Sequence, residues 1–141
     1  SAEKQADAIV DTFASTPYAT FAELTRARLA LAAGDAAEAE AALREAIDRA
    51  PNAALTRLAA LRLVRVQIDS GDLAAAAETI NNHAGGAAFA GDFDVLRGDI
   101  AAAEGRFDDA RAAYQSALAA GAGNPRLIQL KLQDLPADEA S

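Results

Sequence analysis

The sequence predicts an all-helical protein built from repeated pairs of helices, an α-solenoid, and three observations lead to that prediction. Alanine supplies 41 of the 141 residues, whereas aromatic residues make up only 5%. Alanine has the highest helix propensity, and the residue types that fill β-sheets are scarce. Gly34, Gly71 and Gly105 are spaced by 37 and 34 residues, which indicates a repeat. We therefore expect about three helix pairs, a leading helix and a C-terminal capping helix.

Residue size recurs at fixed distances from these three glycines. A small or medium residue lies seven positions before each glycine, at Ala27, Val64 and Gly98. Alanine lies five positions after each one, at Ala39, Ala76 and Ala110. A larger residue lies nine positions after each one, at Leu43, Ile80 and Tyr114. Small residues on both sides of a turn let two antiparallel helices approach closely, and the larger residue fills the next layer.

Each predicted helix has start or stop signals in the sequence. The three glycines suit the left-handed residue that ends a helix, and Asp35 and Asp72 can cap the helices that follow. Proline in the pairs Thr16-Pro17 and Asn124-Pro125 fits the first turn of a helix, while Pro51-Asn52 separates two helices. The predicted helices are residues 2–14, 17–33, 35–50, 53–70, 72–83, 92–104, 106–120 and 125–134.

These helices are predicted to form one domain, residues 1–141. Its parts are a leading helix in 1–16, repeats in 17–52, 53–90 and 91–123, and a capping helix with an acidic tail in 124–141. The segment 84–91 holds three glycines and is expected to be a longer loop. It lacks the Lys-Ser/Thr and the preceding strand of a phosphate-binding loop.

Charge and composition disfavour several classes of function. The formal net charge of -8 opposes a polyanionic partner, so we expect no nucleic-acid binding. The chain has no cysteine and a single histidine, His83, so no metal site or other cofactor is expected. The pair Asp108-Asp109 fits the first turn of a helix, where negative charge is favourable, and no nucleophile or base converges on it. The sequence therefore predicts a protein that is not an enzyme.

The first repeat, with Gly34, Ala39, Leu43, Ala46 and Pro51, is similar to the tetratricopeptide repeat. Further segments narrow the resemblance: Thr16-Pro17-Tyr18-Ala19, 61–66 (LRLVRV), 96–100 (LRGDI) and 127–135 (LIQLKLQDL). In that order they resemble the periplasmic domain of YfgM-type ancillary subunits of the SecYEG translocon. The second repeat departs from the pattern, because His83 stands where alanine is usual and a glycine-rich loop replaces the proline stop.

This resemblance implies a bacterial inner-membrane protein whose periplasmic domain acts as a chaperone-like scaffold for secreted proteins. The implied partners are the SecYEG translocon, a PpiD-like periplasmic chaperone, and unfolded or emerging secreted chains. It also implies an N-terminal transmembrane helix, which the 141 residues do not include. No stretch of the sequence approaches the length and apolarity of a membrane span, so we expect no membrane contact beyond that missing anchor.

Aligning the first helices of the repeats on the glycines gives a candidate protein-binding stripe. Its members are large apolar residues at helical spacing and the arginines among them: Phe21, Leu24, Arg28, Leu31, Leu58, Leu61, Arg65 and Ile68. Phe89, in the glycine-rich loop, is an additional candidate contact. One interpretation is a groove for an apolar peptide segment, flanked by Arg28 and Arg65. The alternative is that the stripe is buried against neighbouring helices, since a small alanine-rich domain needs its large side chains for its core.

Two other functions stay open on the residues alone. The chain could be a tetratricopeptide adaptor or assembly scaffold of another periplasmic or cytoplasmic complex. An enzyme is disfavoured by missing site chemistry rather than by the fold. The residues that precede Ser1 in the natural protein would discriminate the translocon subunit from such an adaptor, because an apolar span of about 20 residues is the mark of an anchor.

Overall fold

A computed structural model of the chain describes residues 16–137. The predicted leading helix 2–14 and the acidic tail after Ala137 lie outside the described residues. The described part contains seven α-helices. They are α1 (Pro17–Ala32), α2 (Ala36–Arg49), α3 (Ala53–Asp69), α4 (Leu73–His83), α5 (Ala90–Ala103), α6 (Phe107–Ala119) and α7 (Pro125–Asp134). The all-helical fold class is confirmed, and most helix ends lie within two residues of the predicted ones.

The turns between paired helices use the residues that the sequence pattern indicated. Gly34 has φ of +79°, and Gly71 and Gly105 have similar values, a backbone conformation that glycine adopts without steric cost. The side chain of Asp35 accepts a hydrogen bond from the amide of Glu38 at 3.0 Å, and Asp72 accepts one from Ala75 at 3.1 Å. The turns at Gly34 and Gly71 therefore each end one helix and cap the next within three residues, whereas Arg106, after Gly105, makes no side-chain capping hydrogen bond.

Two predicted details differ from the structure. Helix α5 begins at Ala90 rather than at residue 92, so the loop after α4 is shorter than expected. Phe89 occupies its N-cap with φ of +62°, and the Phe89 carbonyl accepts from the amide of Phe93 at 3.0 Å. Thr16 occupies the N-cap of α1 as predicted, but its side chain makes no capping hydrogen bond. Asn124 does cap α7, accepting from the amide of Leu127 at 3.3 Å.

The described residues fall into two compact units, 16–66 (unit 1) and 67–137 (unit 2), and α3 spans the boundary. In unit 1, α1, α2 and the first part of α3 share one apolar core. Its fully buried members include Ala39, Ala42, Leu43, Ala46 and Ala59. Leu43 shares this core with Ala39 and Ala46, the small residues that the repeat register places before and after it.

Unit 2 has its own core, in which α5 and α6 pair and α7 packs on α6. Tyr114 and Ile128 supply the larger side chains of this core, and Ala110 and Ala117 the small ones. A Cβ added at Gly98 would overlap the ring of Tyr114, so only glycine allows α5 to approach α6 this closely. The prediction that Gly98 is a close-packing residue of the repeat is confirmed.

Candidate protein-interaction surface

The part of the stripe on α1 is divided between surface and core. Phe21 and Leu31 are about half exposed, and Arg28 is exposed. Leu24, by contrast, is only 4% exposed and lies in the core of unit 1. For Leu24 the structure agrees with the alternative of burial, whereas Phe21, Arg28 and Leu31 can meet a partner without any rearrangement.

The part of the stripe on α3 is half-buried throughout. Leu58 packs against the core of unit 1, and Leu61 and Arg65 also belong to that unit. Ile68 lies beyond the boundary, in unit 2. Leu58 therefore contributes to the core of unit 1 while remaining partly open to solvent, and Leu61 and Arg65 are also half-buried.

Phe89 is half-buried, immediately before α5. Its left-handed backbone is uncommon for a bulky residue and turns the chain from the loop into the helix. Phe89 belongs to unit 2, whereas Phe21, Leu24, Arg28, Leu31, Leu58, Leu61 and Arg65 of the stripe belong to unit 1.

Asp99 interrupts the arginine row, and its role was not foreseen from the sequence. Where the first two repeats carry Arg28 and Arg65, the third carries this acidic residue. Both carboxylate oxygens of Asp99 accept from Lys131 Nζ, at 2.8 and 2.9 Å, and the Tyr114 hydroxyl donates to one of them. The sequence did contain a signal: the charge changes sign at one repeat position, and Lys131 is the only lysine after Lys4.

Unit 2 also contains an open groove of about 280 Å³ that none of the predicted residues lines. Its floor is apolar, formed by Ile80, Ile100 and Ala101, with small alanine side chains beside them. Arg97 and Arg106 stand at its rim, and each forms ion pairs with neighbouring carboxylates, such as Arg106 with Asp109 at 2.9 Å. The hydrogen bond that Arg106 donates to the Asp109 carboxylate, together with its interaction with Glu104, raises the pKa of Arg106 above its usual value. The groove can therefore admit an apolar side chain, and both arginines at its rim are paired with carboxylates.

The adjacent acidic residues Asp108 and Asp109 form ion pairs on the surface. Asp108 and Asp109 bind Arg111 and Arg106, respectively, each within one turn of helix. Among residues 16–137, no group of three or more histidine, cysteine or acidic side chains is placed to hold a metal ion. In the same residues, no helix combines the length and apolarity needed to cross a membrane.

Comparison with known proteins agrees with this architecture. A family model described as a tetratricopeptide repeat-like domain matches residues 1–137. A protein of Aggregatibacter actinomycetemcomitans, named as an ancillary SecYEG translocon subunit, is 36% identical over 121 residues, which cover 85% of this chain and 59% of that protein. A protein of Haemophilus influenzae with the same name is 37% identical over 102 residues, covering 68% of this chain and 50% of that protein. No solved structure matches the chain.

The chain thus spans between half and three fifths of the length of these curated relatives. The resemblance to ancillary SecYEG translocon subunits that the ordered segments indicated is confirmed by both of them. The match to the family model covers nearly all of the chain, including every helix described above. By that match, the chain belongs to the tetratricopeptide repeat-like domain family.

Proposed function

We propose that this chain is a noncatalytic protein-interaction domain that associates with the SecYEG translocon and acts there as a chaperone-like scaffold for secreted proteins. The observation that carries the proposal is the identity of 36–37% to two ancillary SecYEG translocon subunits across most of the chain. On this proposal the domain lies in the periplasm, held at the inner membrane by a transmembrane helix that precedes Ser1, with a PpiD-like chaperone as a further partner.

The surface that we assign to partner binding is the open side of the stripe, with Phe89 as a separate contact. Phe21 and Leu31 offer apolar area to an emerging chain, and Arg28 beside them is exposed and has no ion-pair partner among residues 16–137. Helix α3 adds half-buried contacts at Leu58, Leu61, Arg65 and Ile68. Leu24 is buried in the core beneath this surface and does not contact a partner directly. Tethering beside the channel raises the effective concentration of the domain, so even weak apolar contacts are sufficient for capture.

Site-specific photocrosslinking in the full-length, membrane-anchored protein tests this proposal. A photoreactive residue at Phe21, Leu61, Arg65 or Phe89 is expected to label translocon subunits, the chaperone or emerging secreted chains. Matched controls are Asp48 and Ala112, which are exposed on the second helices α2 and α6. Labelling from none of the four positions, or equal labelling from the controls, would overturn the assigned surface.

Charge substitution separates binding from folding. Phe21→Asp and Leu31→Asp change exposed side chains, so each variant is expected to keep its helical circular dichroism and thermal midpoint while crosslinking from Leu61 falls. Leu24→Asp is the contrasting variant, because it places a carboxylate in the core of unit 1 and is expected to unfold it. Unchanged crosslinking in folded Phe21→Asp and Leu31→Asp would show that clients are bound elsewhere.

A further inference from the structure

The groove of unit 2 lies between three helices, α4, α5 and α6, and the surface assigned to secreted chains does not include it. Its volume is about 280 Å³. Sites for free small molecules are usually larger, about 300 to 1,000 Å³, whereas a cavity of about 150 Å³ already holds one benzene ring. The groove therefore has the size of one or two side chains, which favours a segment of another protein as its occupant.

The floor of the groove is apolar and held in place by packing. Ile80 on α4 and Ile100 on α5 are only 2% and 4% exposed. Ala77, Ala101 and Ala113 line the groove beside them with short side chains. None of these five side chains carries a polar group, so a large apolar side chain can lie on the floor without depriving a donor or acceptor of its partner.

Two alanines of the groove stand where the preceding pair of helices has longer side chains. Counted from the turn glycines, which are 34 residues apart, Ala101 and Ala113 correspond to Gln67 and Thr79. The side chains of Gln67 and Thr79 are buried and meet across their helix pair in a hydrogen bond of 2.9 Å. Two methyl groups cannot meet in this way, so the space between α5 and α6 stays open on the side toward α4.

The first repeat has alanine at the same two positions, but without an open space. These residues, Ala30 and Ala42, belong to the core of unit 1 and are at most 8% exposed. Ala113, by contrast, is only half-buried. The repeat can therefore be built with this place filled by longer side chains or covered by its neighbours, and the third repeat leaves it accessible.

The rim of the groove is positively charged and rich in hydrogen-bond donors. Two arginines, Arg97 and Arg106, line it against one aspartate, Asp109, although the whole chain has a net charge of -8. Among residues 16–137, Arg97 donates only to Asp94. A guanidinium group has further N–H donors, arranged to suit the two oxygens of a carboxylate. The rim therefore complements an acidic group on the occupant.

The ion pairs that these arginines already make are compatible with that role. The side chains of Arg97 and Arg106 are 46% and 50% exposed, and exposed ion pairs contribute little to stability. If Arg97 turns to a partner, Asp94 keeps the hydrogen bond from the Ser116 hydroxyl at 2.9 Å. Exchanging one carboxylate for another at this rim is therefore easy, whereas a basic group on the partner would be repelled by both arginines.

We propose that this groove binds a segment of another protein in which a large apolar side chain stands beside an acidic residue. The apolar side chain lies on Ile80 and Ile100, and the carboxylate accepts hydrogen bonds from Arg97 and Arg106. The proposal does not rest on the proposed function, because the groove shares no residue with the stripe and does not include Phe89. Its failure would leave the stripe assignment intact, and the stripe could fail in crosslinking without affecting the groove.

Nuclear magnetic resonance of the 141-residue chain with short peptides tests the groove. The probe is the acetylated and amidated peptide Gly-Ser-Phe-Glu-Glu-Gly, which is expected to bind with a Kd of about 1 mM or tighter and to shift the methyl signals of Ile80 and Ile100. The controls replace its phenylalanine by serine or both glutamates by lysine. Each control is expected to bind at least about tenfold more weakly, since it lacks the apolar anchor or the charge-assisted hydrogen bonds. Unshifted methyl signals, or equal binding of the lysine peptide, would overturn the proposal.

Filling the groove tests whether the peptide binds there. The variant Ala101→Gln with Ala113→Thr gives the third repeat the side chains that meet in the second one, Gln67 and Thr79. It is expected to keep its helical circular dichroism and to weaken binding of the phenylalanine peptide at least about tenfold. A folded variant that binds this peptide as tightly as the wild type would place the binding site elsewhere.

Charge removal tests the rim and gives a result even if the filled variant does not fold. Arg97→Gln with Arg106→Gln changes two exposed side chains, neither of them a helix cap by hydrogen bonding, so the fold is expected to persist. Binding of the phenylalanine peptide is expected to fall at least about tenfold. The matched control, Arg44→Gln with Arg126→Gln, removes the same charge at exposed positions outside the groove and is expected to leave binding unchanged. Equal losses in both double variants would contradict the assigned rim, and a wild-type dimer that dissociates in Arg97→Gln with Arg106→Gln would assign the groove to a second copy of the chain instead.

Discussion

At the scale of single residues, two buried threonines have opposite hydrogen-bonding environments. Thr20 on α1 is fully buried in unit 1, and its hydroxyl has no hydrogen-bond partner among residues 16–137. Thr79 on α4 is 7% exposed in unit 2, and its hydroxyl lies 2.9 Å from Gln67 Oε1 and 3.0 Å from the Ala75 carbonyl. Burying a hydroxyl costs free energy unless it is hydrogen-bonded, so the two residues contribute to stability with opposite sign.

Valine has the shape of threonine without the hydroxyl and separates these two cases. Thr20→Val is expected to raise the free energy of unfolding by about 1 kcal/mol, because an unsatisfied polar group leaves the core. Thr79→Val is expected to lower it by about 1 to 2 kcal/mol, because it leaves the buried Gln67 amide without its partner. Urea denaturation of both variants measures the difference. A Thr20→Val protein less stable than the wild type would show that its hydroxyl is bonded in solution.

Gly98 and Leu24 mark what residue patterns could and could not predict. The repeat register singled out Gly98 correctly, because close approach of two helices demands a small residue whatever else surrounds it. The same register placed Leu24 and Phe21 in one stripe, yet the first is buried and the second about half exposed. Two residues that are three positions apart, such as Phe21 and Leu24, point in directions that differ by about 60° around the helix, and the neighbouring helices decide which of them faces the core.

At the scale of elements, an ion pair between Lys131 and Asp99 connects α7 to α5. The Lys131 side chain is 26% exposed and that of Asp99 is 11% exposed, so this ion pair is better shielded from water than others in the chain. The ion pair between Arg44 and Glu40 is longer and more exposed, with 3.8 Å between the charged atoms and an arginine side chain that is 59% exposed. Partial burial makes the loss of one partner costly, because the other charge stays behind.

Substituting methionine for each cation keeps the apolar stem and removes the charge. Lys131→Met is expected to lower the free energy of unfolding by about 2 kcal/mol, with α7 losing amide protection first. Arg44→Met is expected to change it by less than about 0.5 kcal/mol. Adding Asp99→Asn to Lys131→Met is expected to recover part of the loss, since no uncompensated charge then remains. Equal effects of Lys131→Met and Arg44→Met in chemical denaturation would show that α7 is held by its apolar contacts alone.

Helix ends were the most predictable feature at this scale, for a physical reason. A turn glycine with positive φ, an aspartate cap and a first-turn proline act within a few residues of each other, so their effect can be read locally. The start of α5 was less predictable. Its N-cap is Phe89, which has a left-handed backbone conformation and no side chain that can cap the helix, so Ala90 and Gly91 follow no recognisable start signal. The attachment of α7 depends on residues 32 positions apart, which no local signal contains.

At the scale of the whole molecule, α3 is the element that the two units have in common. It supplies Leu63 and Val66 to the core of unit 1, whereas Gln67, one residue later, accepts the hydrogen bond from Thr79 in unit 2. In repeat proteins stability is approximately a sum of the stability of each repeat and the coupling to its neighbours. An unbroken helix that serves two units should therefore make their unfolding cooperative.

A proline in the exposed middle of α3 tests that cooperativity. Arg62 is exposed, so Arg62→Ala is expected to be nearly neutral. Arg62→Pro removes one backbone hydrogen bond and forces its ring against the preceding turn, at a cost of about 3 kcal/mol or more. Because the break shifts residues on both sides of the boundary, amide protection is expected to fall at Leu43 in unit 1 and at Ile80 in unit 2, with a single thermal transition. Protection lost at Leu43 but kept at Ile80 would instead show that the units unfold independently, each relying on its own core.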